Sequence, residues 1–255
     1  MIELKHLTVG YGDKPVLRDL CLTFPRGQVT VLLGPNGCGK STLLKAIPGA
    51  ADRLSGELLV DGQSIDAFTP RELAKRVSYL PQTRRVPDMT VERLVLHGRF
   101  PYLRYPRRYS REDSVIARAA MEQLGILEYA GAPLRELSGG TRQKAYIAMA
   151  LAQDTDTVLL DEPNAFLDIA HQLQLMELCR GLAHRGKAVV LVLHDLNLAM
   201  GYGDRLGVLF AGRLIAQGKP EEVWESGALE QAFGVTVSRT ETPERAVYSC
   251  SLRSV

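Results

Sequence analysis

The feature that most restricts this chain is Gly34 to Ser41, which reads GPNGCGKS. It follows the wholly apolar run Val29 to Leu33 and opens a helix-forming stretch, Lys40 to Ile47, that Pro48 and Gly49 stop. A short apolar run of this kind predicts a strand buried on both faces of a parallel sheet. Strand, glycine-rich loop and helix in this order match the phosphate-loop pattern GxxxxGK[ST]. Glycines let successive backbone N–H groups converge on phosphate oxygens at a helix N-terminus. Gly34, Pro35, Asn36, Gly37, Cys38, Gly39, Lys40, Ser41 and Thr42 are therefore candidate contacts to a nucleotide such as ATP. Lys40 would neutralise β- and γ-phosphate charge, and Ser41 would ligate Mg²⁺. Cys38, between two glycines at a helix start, is expected to be an unusually reactive thiol.

A second apolar run, Val158 to Leu160, delivers Asp161 and Glu162 to a strand end, where an open parallel sheet presents its ligand crevice. Asp161 can hold Mg²⁺ through water, and Glu162 can polarise an attacking water as general base. Taken alone, such an acidic pair serves equally as a solvated loop or a helix cap. Further strand signals are Ala188 to Leu193 and Leu206 to Phe210, with Leu175, Leu178, Cys179 and Leu182 marking one helix face that Asp168 could cap. The N-terminal part alternates through Ile2, Leu4 and Thr8, turns from Gly10 to Pro15 and resumes from Leu20 to Phe24. Asp61-Gly62 then marks a hairpin. From about Arg84 to Ala152 helical patterns replace strand runs, including Val115, Ile116, Ala119, Ala120 and Leu124, and predict a helical subdomain. The order is α/β, helical insertion, α/β.

Leu137 to Gln143, LSGGTRQ, opens a helix shortly before the acidic strand. With the phosphate loop and VLLDEP (Val158 to Pro163) in this order and spacing, the chain resembles the ATP-hydrolysing subunits of ABC transporters over about residues 1 to 225. The resemblance implies a P-loop NTPase (RecA-like) core with an antiparallel β subdomain, over residues 1–83 and 153–225. A helical signature subdomain over 84–152 and a short C-terminal extension over 226–255 would complete it. It implies an adenine-stacking role for Tyr11 and a role for Gln82 in sensing Mg²⁺ and the membrane partner. Asp168 would lie in the loop joining two subunits, and His194 would contact γ-phosphate and position the water. It also implies a head-to-tail dimer in which Ser138, Gly139 and Gly140 of one copy close over ATP held by the other. The further partners implied are integral membrane permease subunits and, through them, a substrate-binding protein, on the cytoplasmic face of the membrane. Thr141 stands where the family pattern has glutamine, and Ala165-Phe166 where it has serine-alanine. Leu96 to Tyr102 and Leu167 to Gln172 resemble subunits serving importers of iron-siderophore complexes, haem or cobalamin.

Composition narrows the alternatives. A net charge of +2 on 255 residues gives no bulk reason to expect a nucleic-acid partner. RYPRRYSR (Arg104 to Arg111) could stack on single-stranded nucleic acid or touch lipid headgroups or the permease, but a solvated loop is the favoured reading. Four scattered cysteines show no zinc or disulfide spacing. No run reaches the roughly 18 apolar residues of a spanning helix. With about 30 residues after Ala228, no appended regulatory domain is expected. The rival reading is a cytosolic ABC ATPase with a soluble partner, as in iron-sulfur cluster assembly.

Overall fold

The computed structural model describes residues 1–82, 86–242 and 246–252. The expected boundary at residues 83 and 84, and residues 243–245 and 253–255 of the C-terminal extension, lie outside the described residues.

Alternating burial over Ile2–Tyr11 (β1) and Lys14–Phe24 (β2) makes an antiparallel pair closed at Gly12-Asp13. The turn is tighter than the expected span from Gly10 to Pro15. Gly12, at φ 54°, allows the ladder to continue to Tyr11 and Lys14. Val29–Leu33 (β3) is buried along its whole length and leads through the glycine loop into Lys40–Ala46 (α1). Asp52–Val60 (β4) and Gln63–Ser64 (β5) flank Asp61-Gly62, both at positive φ, the hairpin chemistry expected there. Pro70–Leu73 (α2) starts in a Thr69/Glu72 capping box and precedes Val77–Leu80 (β6).

Between β6 and the next strand the regular elements are helical: Val91–His97 (α3), Arg111–Gln123 (α4) and Gly139–Ala152 (α5), with short 3₁₀ turns. The chain then alternates through Thr157–Asp161 (β7), Ile169–His184 (α6), Ala188–Val192 (β8), Leu196–Tyr202 (α7) and Arg205–Phe210 (β9). Arg213–Gly218 (β10), Pro220–Glu225 (α8), Ala228–Phe233 (α9) and the hairpin Val235–Glu241 (β11) with Ala246–Leu252 (β12) follow. This last part is packed: Tyr248 is buried, and its ring meets Trp224 edge to face at 6.3 Å.

The six-stranded sheet has the order β10-β9-β3-β8-β7-β6, with all neighbours parallel except β10. The four-stranded antiparallel sheet runs β2-β1-β4-β5. This is a P-loop NTPase α/β core with an antiparallel sheet beside it. Register aligns the strand ends, since Leu32 and Asp161 both pair with Val192, and Leu160 pairs with Leu80. The loops leaving β3, β8, β7 and β6 therefore emerge side by side at one edge.

The helical pattern around Val115 to Leu124 is α4, but its inward face is set by polar as well as apolar residues. On α4 the buried residues are Asp113, Ala117, Ala120 and Met121, whereas Ala119 faces solvent and Val115 is 60% exposed. Two polar contacts set the phase: Ser110 and Asp113 form a capping box, and Arg99 draws the Asp113 carboxylate inward at 3.0 Å. A charged pair inside the helical segment thus outweighs Val115 as the inward anchor.

Candidate functional site

A cleft of about 300 Å³ opens at the aligned strand ends, lined by Val16, Asn36, Gly37, Gly39, Lys40, Ser41, Thr42, Gln82, Glu162 and His194. Glycine geometry builds its floor. Gly34 lies at φ 145°, where a Cβ would sit 2.1 Å from the Leu209 carbonyl oxygen; Gly39 lies at φ 108°, where a Cβ would strike the Leu17 side chain at 2.6 Å. No other residue allows this loop path beneath the neighbouring strands. Lys40 is only 5% exposed, and its ammonium donates to the carbonyls of Gly34 at 2.7 Å and Pro35 at 2.9 Å. It braces the loop from within.

The acidic pair takes two directions. Asp161, at the end of β7, is 1% exposed. Ser41 donates its hydroxyl to Asp161 Oδ1 at 3.1 Å, and Tyr79 donates to Oδ2 at 3.4 Å. Burial raises the Asp161 carboxyl above its ordinary range, with the Ser41 bond opposing and the Glu162 charge adding to the shift. Glu162, at φ 51°, turns into the cleft, where Gln82 Nε2 donates to Oε2 at 2.6 Å and His194 Nε2 lies 2.8 Å from Oε1. Such a backbone conformation is costly for a residue with a Cβ and is held by the surrounding structure.

Other expected residues lie elsewhere. Tyr11 ends β1 at 47% exposure and does not line the cleft, whose wall on that side includes Val16. Ser138 caps α5 by accepting the Thr141 N–H at 3.1 Å, and its hydroxyl meets that of Thr141 at 2.9 Å. Thr141 at this departure from the family pattern thus packs onto the cap itself. Gly139 lines a neighbouring cavity of about 360 Å³ with Gln82, Arg142, Tyr146 and Phe166. Gly140 is the closer of the two glycines to the Phe166 backbone: a Cβ there would meet the Phe166 carbonyl at 3.1 Å. Asp168 caps α6, accepting the His171 N–H at 2.9 Å and pairing with its ring at 2.8 Å; these bonds hold its carboxyl below the usual range.

Cys38 corrects an expectation. It is 7% exposed within an apolar cluster drawn from both sheets, and its sulfur is turned inside the loop, 3.9 Å from the Lys40 ammonium. Leu17 and other β2 residues pack over the loop from outside. That packing removes the solvent access on which the expected reactivity depended.

Two contributors escaped the sequence reading. Val16 was hidden because an aliphatic near a strand start carries no polar signature, although its place three residues past the Asp13 turn was a signal of proximity to the loop. Gln143 was quoted only as part of a motif; its buried amide donates to the Pro163 carbonyl at 2.7 Å, tying α5 to the segment after Glu162.

A family model described as ABC transporter matches residues 17–165. The iron(3+)-hydroxamate import ATP-binding protein FhuC of Bacillus subtilis (strain 168) is 39% identical over 254 residues, covering 97% of this chain and 94% of that protein. The hemin import ATP-binding protein HmuV of Rhodococcus jostii (strain RHA1) is 42% identical over 238 residues, covering 93% of this chain and 81% of that protein. Among solved structures, a metal-chelate type ABC transporter in an inward-facing conformation superposes with a TM-score of 0.83 at 25% identity, covering 98% of this chain and 96% of that one.

Proposed function

The chain belongs to the ABC transporter family, and from that premise we propose that it is the ATP-hydrolysing subunit that powers import of iron-siderophore complexes or haem. The observation that carries this reading is the convergence of Lys40, Ser41, Gln82, Glu162 and His194 on one cleft at the ends of four neighbouring parallel strands. Relatives bearing iron-hydroxamate and hemin import names support the substrate class over the iron-sulfur assembly alternative.

In this reading the loop amides from Gly34 to Thr42 hold the β- and γ-phosphates, and Lys40 exchanges its loop carbonyls for phosphate oxygens. Mg²⁺ suits the residues present, because Ser41 and the buried Asp161 carboxylate offer hard oxygen donors 3.1 Å apart and burial leaves Asp161 in need of a cation. When bound, Mg²⁺ offsets charge on the phosphate oxygens. Glu162 accepts the proton of the attacking water, and His194 beside it orients that water and touches the γ-phosphate. Tyr11 is assigned to the adenine.

Ser138, Gly139 and Gly140 lie outside the cleft of their own chain, and we assign them to the nucleotide of a second copy. A capped helix start of this kind offers N–H groups to an anion, and an ATP held between two such sites joins the copies reversibly. The remaining partners are membrane permease subunits, with a substrate-binding protein beyond them. No described helix is long and apolar enough to cross a membrane. In this reading the chain docks at the cytoplasmic face through those subunits.

Affinity purification of the tagged chain from solubilised membranes tests the reading. An integral membrane protein should co-purify, and deletion of the gene should abolish uptake of radiolabelled ferric hydroxamate or haem. Capture of soluble cluster-assembly proteins alone, with uptake intact, would overturn it.

A further inference from the structure

Two compensating bulges in the N-terminal hairpin build a side-chain cluster that the ATP site does not use. Between the pairs Leu4–Leu22 and Leu7–Leu20, β1 places Lys5 and His6 opposite Cys21 alone. Between Leu7–Leu20 and Val9–Leu17, β2 places Arg18 and Asp19 opposite Thr8 alone. Over this stretch each strand carries one extra residue, so the slip that would send alternate side chains to opposite faces is made and then cancelled, before a third irregularity between Val9–Leu17 and Gly10–Pro15 adds Val16 to β2. His6 and Asp19 occupy the left-handed region at φ 49° and 52°. On the next strand Gly56, at φ 82°, accepts the distortion: a Cβ there would sit 2.2 Å from the His6 carbonyl oxygen. Three strands therefore bend around one point.

The result is a group of three different metal-ligand side chains. The His6 ring nitrogen Nδ1 lies 2.8 Å from Asp19 Oδ1, the His6 backbone N–H donates to Cys21 Sγ at 3.3 Å, and one ligand atom from each residue falls within 4.8 Å of the others. It is the one such group of histidine, cysteine and carboxylate ligands among the described residues. Cys21 is a free, exposed thiol. Imidazole, thiolate and carboxylate around an open position suit borderline divalent ions, whereas Mg²⁺ and Ca²⁺ prefer oxygen alone.

We propose that His6, Asp19 and Cys21 form a surface site for a borderline divalent transition-metal ion such as Zn²⁺, Co²⁺ or Fe²⁺. The ion sits between His6 Nδ1 and an Asp19 carboxylate oxygen, with the neutral imidazole carrying its one N–H at Nε2, takes the Cys21 thiol as thiolate with release of its proton to solvent, and leaves a fourth position to water. In tetrahedral coordination the ligand atoms stand roughly 3.5 Å apart, within reach of rotamer changes by these exposed side chains. The site lies on the antiparallel sheet, so it is independent of the hydrolytic cleft and of the importer reading.

Co²⁺ titration of the full-length chain, kept reduced and free of nucleotide, tests this. A thiolate-to-cobalt charge-transfer band should appear in the near ultraviolet, survive excess Mg²⁺ and be bleached by Zn²⁺. Cys21→Ser should abolish the band, and His6→Ala or Asp19→Asn should weaken Co²⁺ binding by roughly tenfold or more. Cys250→Ser, which alters the other exposed thiol, should leave it intact. All variants should keep the parental circular dichroism spectrum, because the altered side chains are solvent-facing. Absence of the band in the parent, its survival in Cys21→Ser, or its loss in Cys250→Ser would overturn the site.

Discussion

The carboxamide of Gln82 donates to the carboxylate of Glu162 at 2.6 Å. Because β6 and β7 are parallel neighbours, Gln82, two residues past the end of β6, reaches Glu162, one residue past the end of β7. With His194 on the second oxygen at 2.8 Å, the assigned base is held from two sides. Any movement of the Gln82 loop therefore changes what Glu162 contacts. Gln82→Ala should leave ATP hydrolysis by the isolated chain within a few-fold of the parent but lower substrate uptake in reconstituted vesicles at least tenfold. Equal transport by variant and parent would remove Gln82 from the coupling path.

Lys40 has two roles to lose. Its ammonium braces the loop through Gly34 and Pro35, and it is the one cation among the residues lining the cleft at neutral pH apart from any charge on His194. Lys40→Ala should weaken ATP binding by tenfold or more, as measured by isothermal titration calorimetry, since no other lysine or arginine lines the cleft. Affinity within threefold of the parent would refute that role.

How much of this was legible before the structure differs by residue. Continuous apolar runs fixed β3, β7 and β8, and with them the positions of Lys40, Asp161, Glu162 and His194, because the chemistry follows directly at each strand end. The Gln82–Glu162 contact was not legible: it depends on β6 pairing with β7, a matter of strand order rather than of local pattern. Cys38 was misread for a similar reason, since the cluster that buries it is assembled from both sheets. On α4 the helix was legible but its inward phase was not, because a buried Arg99–Asp113 pair between segments helps to set it.

Cysteine labelling offers a direct check of this packing. Cys38 and Cys179 are buried, and burial pushes the Cys179 thiol up to about 12, whereas Cys21 and Cys250 are exposed. Iodoacetamide followed by mass spectrometry should modify Cys21 and Cys250 in the folded chain, and Cys38 and Cys179 only after unfolding. Rapid alkylation of Cys38, with protection by ATP, would restore the sequence-based expectation.

Asp61 should shape the acid limb of stability. The Arg26 hydrogen bond, opposed by burial and aided by the N-terminal ammonium, holds its carboxyl at about 2, against an ordinary 3.8. A depressed folded-state value contributes stability above the ordinary carboxylate range, which is lost as pH falls toward about 2. Asp61→Asn should cost on the order of 1 kcal/mol at neutral pH, because the group is partly exposed. It should also flatten the fall of the urea midpoint between about pH 4 and about pH 2. Parallel acid limbs for variant and parent would show that Asp61 does not titrate in unfolding.

Glu162→Gln tests the hydrolytic assignment and the shared site together. The substitution preserves shape and can still meet Gln82 and His194, but it removes the proton acceptor from beside the attacking water. A general base acts only in the transition state, whereas Lys40 and the loop amides also bind the ground state, so turnover should fall by roughly 10² or more while ATP affinity holds. ATP then persists in the cleft. If Ser138 to Gly140 of a second copy close over that nucleotide, the variant should run as a dimer on size-exclusion chromatography in Mg-ATP and as a monomer without it. Adding Ser138→Arg should abolish the dimer, because a bulky cation would fill the capped start of α5. Monomeric Glu162→Gln at saturating Mg-ATP would exclude the shared site, and parental turnover would exclude Glu162 as the base.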